Sequence, residues 1–176
     1  MDKKIVVFCS ASADIDLVYN EAAADFVRGA SSLGYTIVSG GTVKGTMGVI
    51  SNEVYKCGGK HIGIVPRFME DVVAPNLSVL EWTDTMSDRK EKMREGTCAA
   101  VALPGGIGTL DELIETLTLA KLDKYPGKVV ALNIGGFYDK LELLLDHYVS
   151  TGMLDERSRK LISFPQTVAE LLDILS

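Results

Sequence analysis

Ala99-Ala100-Val101-Ala102-Leu103-Pro104-Gly105-Gly106-Ile107-Gly108-Thr109-Leu110-Asp111-Glu112 is the stretch that decides the fold. Its first five residues are apolar without a break, so they read as a strand buried on both faces. The Pro-Gly-Gly run is a turn. Leu110, Leu113, Ile114 and Leu117 then recur at helical spacing. Buried strand, glycine-rich turn and amphipathic helix together form the repeating unit of a parallel α/β sheet.

The same pattern recurs on both sides. Upstream, Ile5–Phe8 predicts a strand, and Tyr19, Ala22, Ala23, Phe26, Val27, Ala30 and Leu33 predict a helix that Gly34 stops. Thr36–Val38 is a second strand, Met47–Lys56 a helix ending at Gly58-Gly59, and Ile62–Val65 a third strand closed by Pro66. Val79-Leu80 reads as a short fourth strand, and the loop from Arg67 to Ser78 as the longest irregular stretch. Asp84 is expected to cap a charged helix running to Glu95, and Asp14 and Asp16 to cap the first helix. Downstream come a strand at Val129–Leu132 and helices near Tyr138–Val149 and Thr167–Leu175. Strands apolar throughout predict an α/β fold with a mostly parallel sheet covered by helices on both faces.

Composition limits the function. The 176 residues are 47% hydrophobic and 24% charged, which suits one folded domain over residues 1–176 and excludes a disordered chain. Eighteen Lys+Arg against 24 Asp+Glu give a net charge of −6, which argues against non-specific nucleic-acid or anionic-membrane binding. Cys9, Cys57 and Cys98 are odd in number and form no C-x-x-C pair. A disulfide framework and a zinc ribbon are therefore not expected, and a reducing cytoplasm is. No signal peptide is read at the N-terminus, and no apolar run reaches the roughly 18 residues of a membrane span.

In an open parallel sheet the ligand lies beyond the carboxyl ends of the strands. Small and polar residues follow three of them: Ser10-Ala11-Ser12, Gly40-Gly41 to Gly45, and Pro104 to Thr109. Three such loops on one edge predict a shared ligand site. The turn from Gly105 to Thr109 is suited to a phosphate, because backbone N–H groups turn inward there and the helix start adds about half a positive charge. Two common nucleotide motifs fail. G-x-G-x-x-G begins at Gly106 but ends on Asp111, and Lys44 precedes Gly45-Thr46 where a P-loop needs Gly-Lys-Ser/Thr.

Glu112 has two readings. Thr109 to Glu112 fits a capping box, with Thr109 as N-cap. Alternatively, its carboxylate lies where a ribose would sit, placed to stabilise positive charge at a sugar carbon and orient water. Arg89 is either part of a solvated charged face with Glu91 and Glu95, or an arginine reaching an anionic or polar ligand. Cys9 reads as a small buried residue rather than a nucleophile, and His61 and His147 as structural. No Ser–His–Asp grouping and no metal-ligand spacing is found.

Pro104 to Glu112 fits P-G-G-x-G-T-x-x-E, and this resembles the signature of the Lonely Guy family of cytokinin riboside 5′-monophosphate phosphoribohydrolases, formerly called lysine decarboxylase-like. Met86-Ser87-Asp88-Arg89-Lys90 is similar to that family's M-x-x-R-K motif. Phe8–Ser12 and Gly40–Gly48 are similar to its first two loops. The resemblance implies a Rossmann-like three-layer fold, a homodimer, no cofactor and no metal. It implies hydrolysis of the N-glycosidic bond of adenine-type nucleoside 5′-monophosphates, with Arg89 and Glu112 in the catalytic positions. Lys90, Gly106, Ile107, Gly108, Thr109, Leu110, Asp111 and Thr118 take binding positions, and Met86 lines the pocket. Many members carry Gly at the positions of Ser10 and Thr42, His at that of Ser87 and Glu at that of Asp111, so substrate range is where this chain is expected to differ. The alternatives are a non-catalytic nucleotide- or cofactor-binding module, as in molybdenum-cofactor carriers, and a Rossmann-type oxidoreductase. The broken glycine fingerprint speaks against the second.

Overall fold

The computed structural model describes residues 3–176. The chain alternates strand and helix: β1 (Lys4–Phe8), α1 (Leu17–Ser32), β2 (Thr36–Ser39), α2 (Gly45–Lys56), β3 (Lys60–Pro66), β4 (Val79–Thr83), α3 (Met86–Arg94), β5 (Thr97–Ala102), α4 (Ile107–Lys121), β6 (Lys128–Ala131), α5 (Asp139–Ser150), α6 (Glu156–Arg159), β7 (Ile162–Ser163) and α7 (Val168–Leu175). The seven strands form one sheet in the order β4-β3-β2-β1-β5-β6-β7, and every neighbouring pair is parallel.

Residue alternation along β1 explains the three layers. Ile5 and Val7 point to one face and pack with Phe26 and Val27 of α1, Ile50 and Val54 of α2 and Leu171 of α7. Val6 and Phe8 point to the other and pack with Met93 of α3, Leu113 and Leu117 of α4 and Leu145 of α5. Because both faces are covered, the central strands β1 and β5 carry unbroken apolar runs, Ile5–Phe8 and Ala99–Ala102, rather than apolar residues at every second position. The fold is the expected Rossmann-like α/β sandwich. Connections run outward from β1 to β4 and then return to β5 on its other side, so the order reverses between β1 and β5. A crevice opens at such a reversal, beyond the carboxyl ends of the two strands.

Several local expectations are corrected. Thr85, not Asp84, caps α3: its side chain accepts from Asp88 N at 3.1 Å. Asp16 caps α1 by accepting from Val18 N, whereas Asp14 does not cap it. Helix α2 starts at Gly45, two residues earlier than the apolar spacing suggests. Helix α4 starts at Ile107 with Gly106 as its N-cap, so Thr109 is inside the helix. Leu113 and Leu117 face the core, but Leu110 is 37% exposed, so the apolar residues of α4 divide between two faces. The segment after β3 is partly ordered: Arg67–Val72 forms 3-10 turns, and Val73 makes an antiparallel bridge to Thr42. The short α6 and two-residue β7 carry too few residues to show a period.

Candidate active site

A cleft of about 400 Å³ lies at the carboxyl ends of β1 and β5. The loop Cys9–Ser12 forms one wall, Gly40 the back, and Arg89 and Lys90 of α3 a second wall. Gly106, Ile107, Gly108 and Thr109 close it from α4, with Asp111 and Glu112 one turn further along. Ser10, Gly40, Met86, Arg89, Lys90, Gly106–Thr109, Asp111 and Glu112 thus come together as the sequence predicts.

Five other predicted residues do not line this cleft. Gly41, Gly45 and Gly105 are not among its lining residues. Gly45 shows why a glycine is needed there: its φ is +53°, and a Cβ would stand 2.5 Å from the carbonyl oxygen of Ser12. This close approach joins α2 to the β1 loop, where Thr46 N also donates to Ser10 O at 3.0 Å. Leu110 and Thr118 lie on the outer face of α4, beside Ile107 and Ile114 around an open depression. Another groove, about 820 Å³, lies at the amino end of β5 among Arg94, Glu95 and Tyr125. It is away from the strand carboxyl ends and from the glycine turn.

No side chain caps the start of α4. Its first backbone helical bond is Leu110 N to Gly106 O at 3.0 Å, so the amides of Ile107, Gly108 and Thr109 come before the ladder begins. These amides edge the cleft and carry the helix's partial positive charge. The Thr109 hydroxyl donates to the Cys9 carbonyl at 2.9 Å, which fixes the glycine turn against β1. That bond and the earlier helix start remove the capping-box role from Thr109 and Glu112.

Glu112 is left with its carboxyl in the cleft. Burial pushes its pKa from 4.5 to about 7, and the nearby positive charge of Arg89 only partly opposes this. Such a carboxyl changes charge near neutrality, as a group exchanging protons with water should. Burial and the negative charge of Glu112 push the Cys9 thiol well up, so Cys9 is not a thiolate nucleophile.

Arg89 is only 6% exposed, which overturns the solvated-face reading. Its Nε donates to the carbonyl of Ile64 at 3.0 Å and its Nη2 to that of Gly40 at 3.1 Å. Two backbone carbonyls therefore hold the guanidinium plane, and among the described residues no carboxylate pairs with it by contact. Lys90 is differently placed. Its Nζ is 2.8 Å from Asp111 and 3.0 Å from Glu115, and these hydrogen bonds hold its pKa above the ordinary lysine value.

Sequence reasoning found Met86 but missed the three other methionines lining the cleft, Met47, Met69 and Met93. Met69 lies on the segment read as irregular. It is brought in by Val43 N donating to Val72 O and Ala74 N to Gly41 O, each at 2.9 Å. No spacing rule links these two loops. Among the described residues, no group of three or more His, Cys, Asp and Glu is placed to hold a metal ion. No helix of the described residues is long and apolar enough to cross a membrane.

The family model described as "Possible lysine decarboxylase" matches residues 47–175. A probable cytokinin riboside 5′-monophosphate phosphoribohydrolase of Oryza sativa subsp. japonica is 34% identical over 176 residues, covering 98% of this chain and 83% of that protein. A cytokinin riboside 5′-monophosphate phosphoribohydrolase of Arabidopsis thaliana is 32% identical, covering 98% of this chain and 82% of that one. Among solved structures, the molybdenum cofactor carrier protein of Chlamydomonas reinhardtii superposes with a TM-score of 0.75 at 19% identity, covering 99% of this chain and 96% of that one. At that identity the likeness concerns the fold alone.

Proposed function

The chain belongs to the family of cytokinin riboside 5′-monophosphate phosphoribohydrolases, and from that premise we propose that its cleft hydrolyses the N-glycosidic bond of adenine-type nucleoside 5′-monophosphates. The products are a free base and ribose 5-phosphate. The chain is an enzyme, an N-glycosidase that acts on a nucleotide. The observation that carries the finer reading is the half-buried carboxyl of Glu112, its pKa raised to about 7, beside the uncapped start of α4 and across from Arg89.

In this reading the 5′-phosphate rests on the amides of Ile107, Gly108 and Thr109. That anchor sets the anomeric carbon beside Glu112. As the C1′–N9 bond breaks, positive charge spreads over C1′ and the ring oxygen, and the ionised carboxylate stabilises it. Water adds to C1′ and gives one proton to Glu112, and the base leaves neutral after taking a proton from solvent. Arg89 supports the departing base or the ribose hydroxyls, and its position is set before substrate arrives. Lys90 lines the same wall of the cleft, and its pairing with Asp111 and Glu115 holds that wall together rather than adding net positive charge. The outer face of α4, with Ile107 85% exposed beside Leu110 and Ile114, supports a homodimer.

The test is incubation with AMP, isopentenyladenosine monophosphate, the matching nucleosides and the triphosphates, with free base read by chromatography. Base is expected from the monophosphates and not from nucleosides. Release from nucleosides would contradict the phosphate anchor. Calorimetric binding of monophosphates with no base released would instead make the chain a nucleotide-binding module.

A further inference from the structure

Arg89 is held by main-chain carbonyls, so whatever fixes those carbonyls fixes the guanidinium. One of them belongs to Gly40, on the turn Ser39–Gly41 that leaves β2. This turn is tightly confined. A Cβ on Gly40 would stand 2.0 Å from Arg89 Nη2, and one on Gly41, whose φ is +67°, would stand 2.7 Å from the Cα of Gly63 on β3. Besides Arg89, the side chain bonded to the turn is Ser39, whose Oγ accepts from Gly41 N at 3.2 Å. That same Oγ is 2.7 Å from Nε2 of His61.

His61 and Ser39 are both fully buried. Strand β3 pairs Ile37 with His61 and Ser39 with Gly63, so the two side chains share one face of the sheet, a diagonal step apart. The imidazole is costly where it stands. Its Nδ1 is buried without a partner, and an unpaired buried polar atom destabilises a fold. Burial also lowers its pKa to about 4, so it contributes a hydrogen bond rather than a charge. A leucine or phenylalanine would fill the space without that cost. Among the described residues, the one side-chain bond of the imidazole leads to the hydroxyl that anchors the Arg89 turn.

We infer that His61, acting through Ser39, positions the Gly40 carbonyl that orients Arg89, and so serves as a positioning residue for glycosidic cleavage. A serine hydroxyl has three staggered rotamers, and only one of them accepts from Gly41 N. The bond to His61 holds that rotamer. When it is lost, the turn amide loses its acceptor, the Gly40 carbonyl swings, and Arg89 keeps only its bond to Ile64. The inference rests on the role proposed above for Arg89.

The test compares S39A, S39T, H61F, the S39A/H61F double variant and R89A, each measured for kcat, KM and melting temperature with AMP. S39A and H61F are each expected to lower kcat by about 10- to 100-fold, the cost of a misplaced catalytic group, with KM moving less. Melting temperature should hold or rise in H61F, since the unpaired nitrogen is gone. S39T keeps the hydroxyl and should keep the rate, and the double variant should be no slower than either single one. Wild-type turnover in S39A and H61F beside an inactive R89A would overturn the inference and leave the Arg89 assignment standing. Losses of turnover that track losses of melting temperature would also overturn it. Full turnover in R89A would remove the Arg89 assignment itself, and the inference with it.

Discussion

Glu112 and Arg89 face the same cleft from two helices, α4 and α3, and feel each other's charge without forming an ion pair. A contact pair would neutralise both groups. At a distance, the carboxyl keeps a raised pKa and the guanidinium keeps free N–H donors.

The first prediction concerns pH. The folded chain keeps a proton on Glu112 up to about pH 7, whereas the unfolded chain loses it near the ordinary 4.5. In that window the folded state binds more protons, so this group's contribution to stability falls as pH rises and is least favourable above pH 7. E112Q should therefore stabilise the protein by about 3 kcal/mol at pH 8 and by little at pH 4, read by denaturant unfolding. The wild-type kcat/KM should rise with pH through about 7 as the carboxylate forms, and E112Q should lose both the activity and this limb.

A second prediction separates charge from shape at Arg89. R89A should slow base release by about 100-fold or more, the usual cost of one preorganised electrostatic contact. It also leaves the Ile64 and Gly40 carbonyls without their donor, at a cost of about 1–3 kcal/mol in unfolding free energy. R89K keeps the charge, but a point ammonium does not serve two carbonyls as a planar fork does. Its turnover should stay close to that of R89A.

Gly108 provides a test in which stability and activity move in opposite directions. A Cβ there meets no atom within 4 Å, so the free protein accepts it. G108A should raise stability by up to about 1 kcal/mol, because alanine is the better helix former. The new methyl would stand at the amides proposed to hold the phosphate, so KM for AMP should rise. An unchanged KM would move the phosphate away from this turn.

The outer face of α4 bears on assembly. Replacing Ile107, 85% exposed, together with Ile114 by aspartate places charge on that face without touching the buried core. If a second copy covers it, the I107D/I114D variant should elute as a monomer in gel filtration while the wild type elutes as a dimer.

The sheet and its ligand edge were legible because doubly covered strands are apolar throughout and because three glycine or serine loops follow them. The start of α4 was not. A glycine N-cap leaves no side-chain signal, and Thr109 resembled a cap while actually bonding Cys9. Leu110 and Ile114 have the spacing of a buried face but sit on the far side of the helix, since periodicity gives a stripe and not its direction. The burial of Arg89 was equally hidden. Its partners are carbonyls of residues 25 and 49 positions away, and a backbone oxygen has no letter in a sequence. Met69 was missed for the same kind of reason, because an antiparallel bridge between two loops brings it in.

Four thioethers, those of Met47, Met69, Met86 and Met93, line one small cleft. Methionine is unbranched and changes rotamer readily, so such a lining yields to a guest rather than matching a single outline. The enzyme should therefore grade leaving bases of differing bulk by how far they deform that wall. Under the proposed reading, the glycine turn supplies the rigid grip and the thioether wall supplies the tolerance.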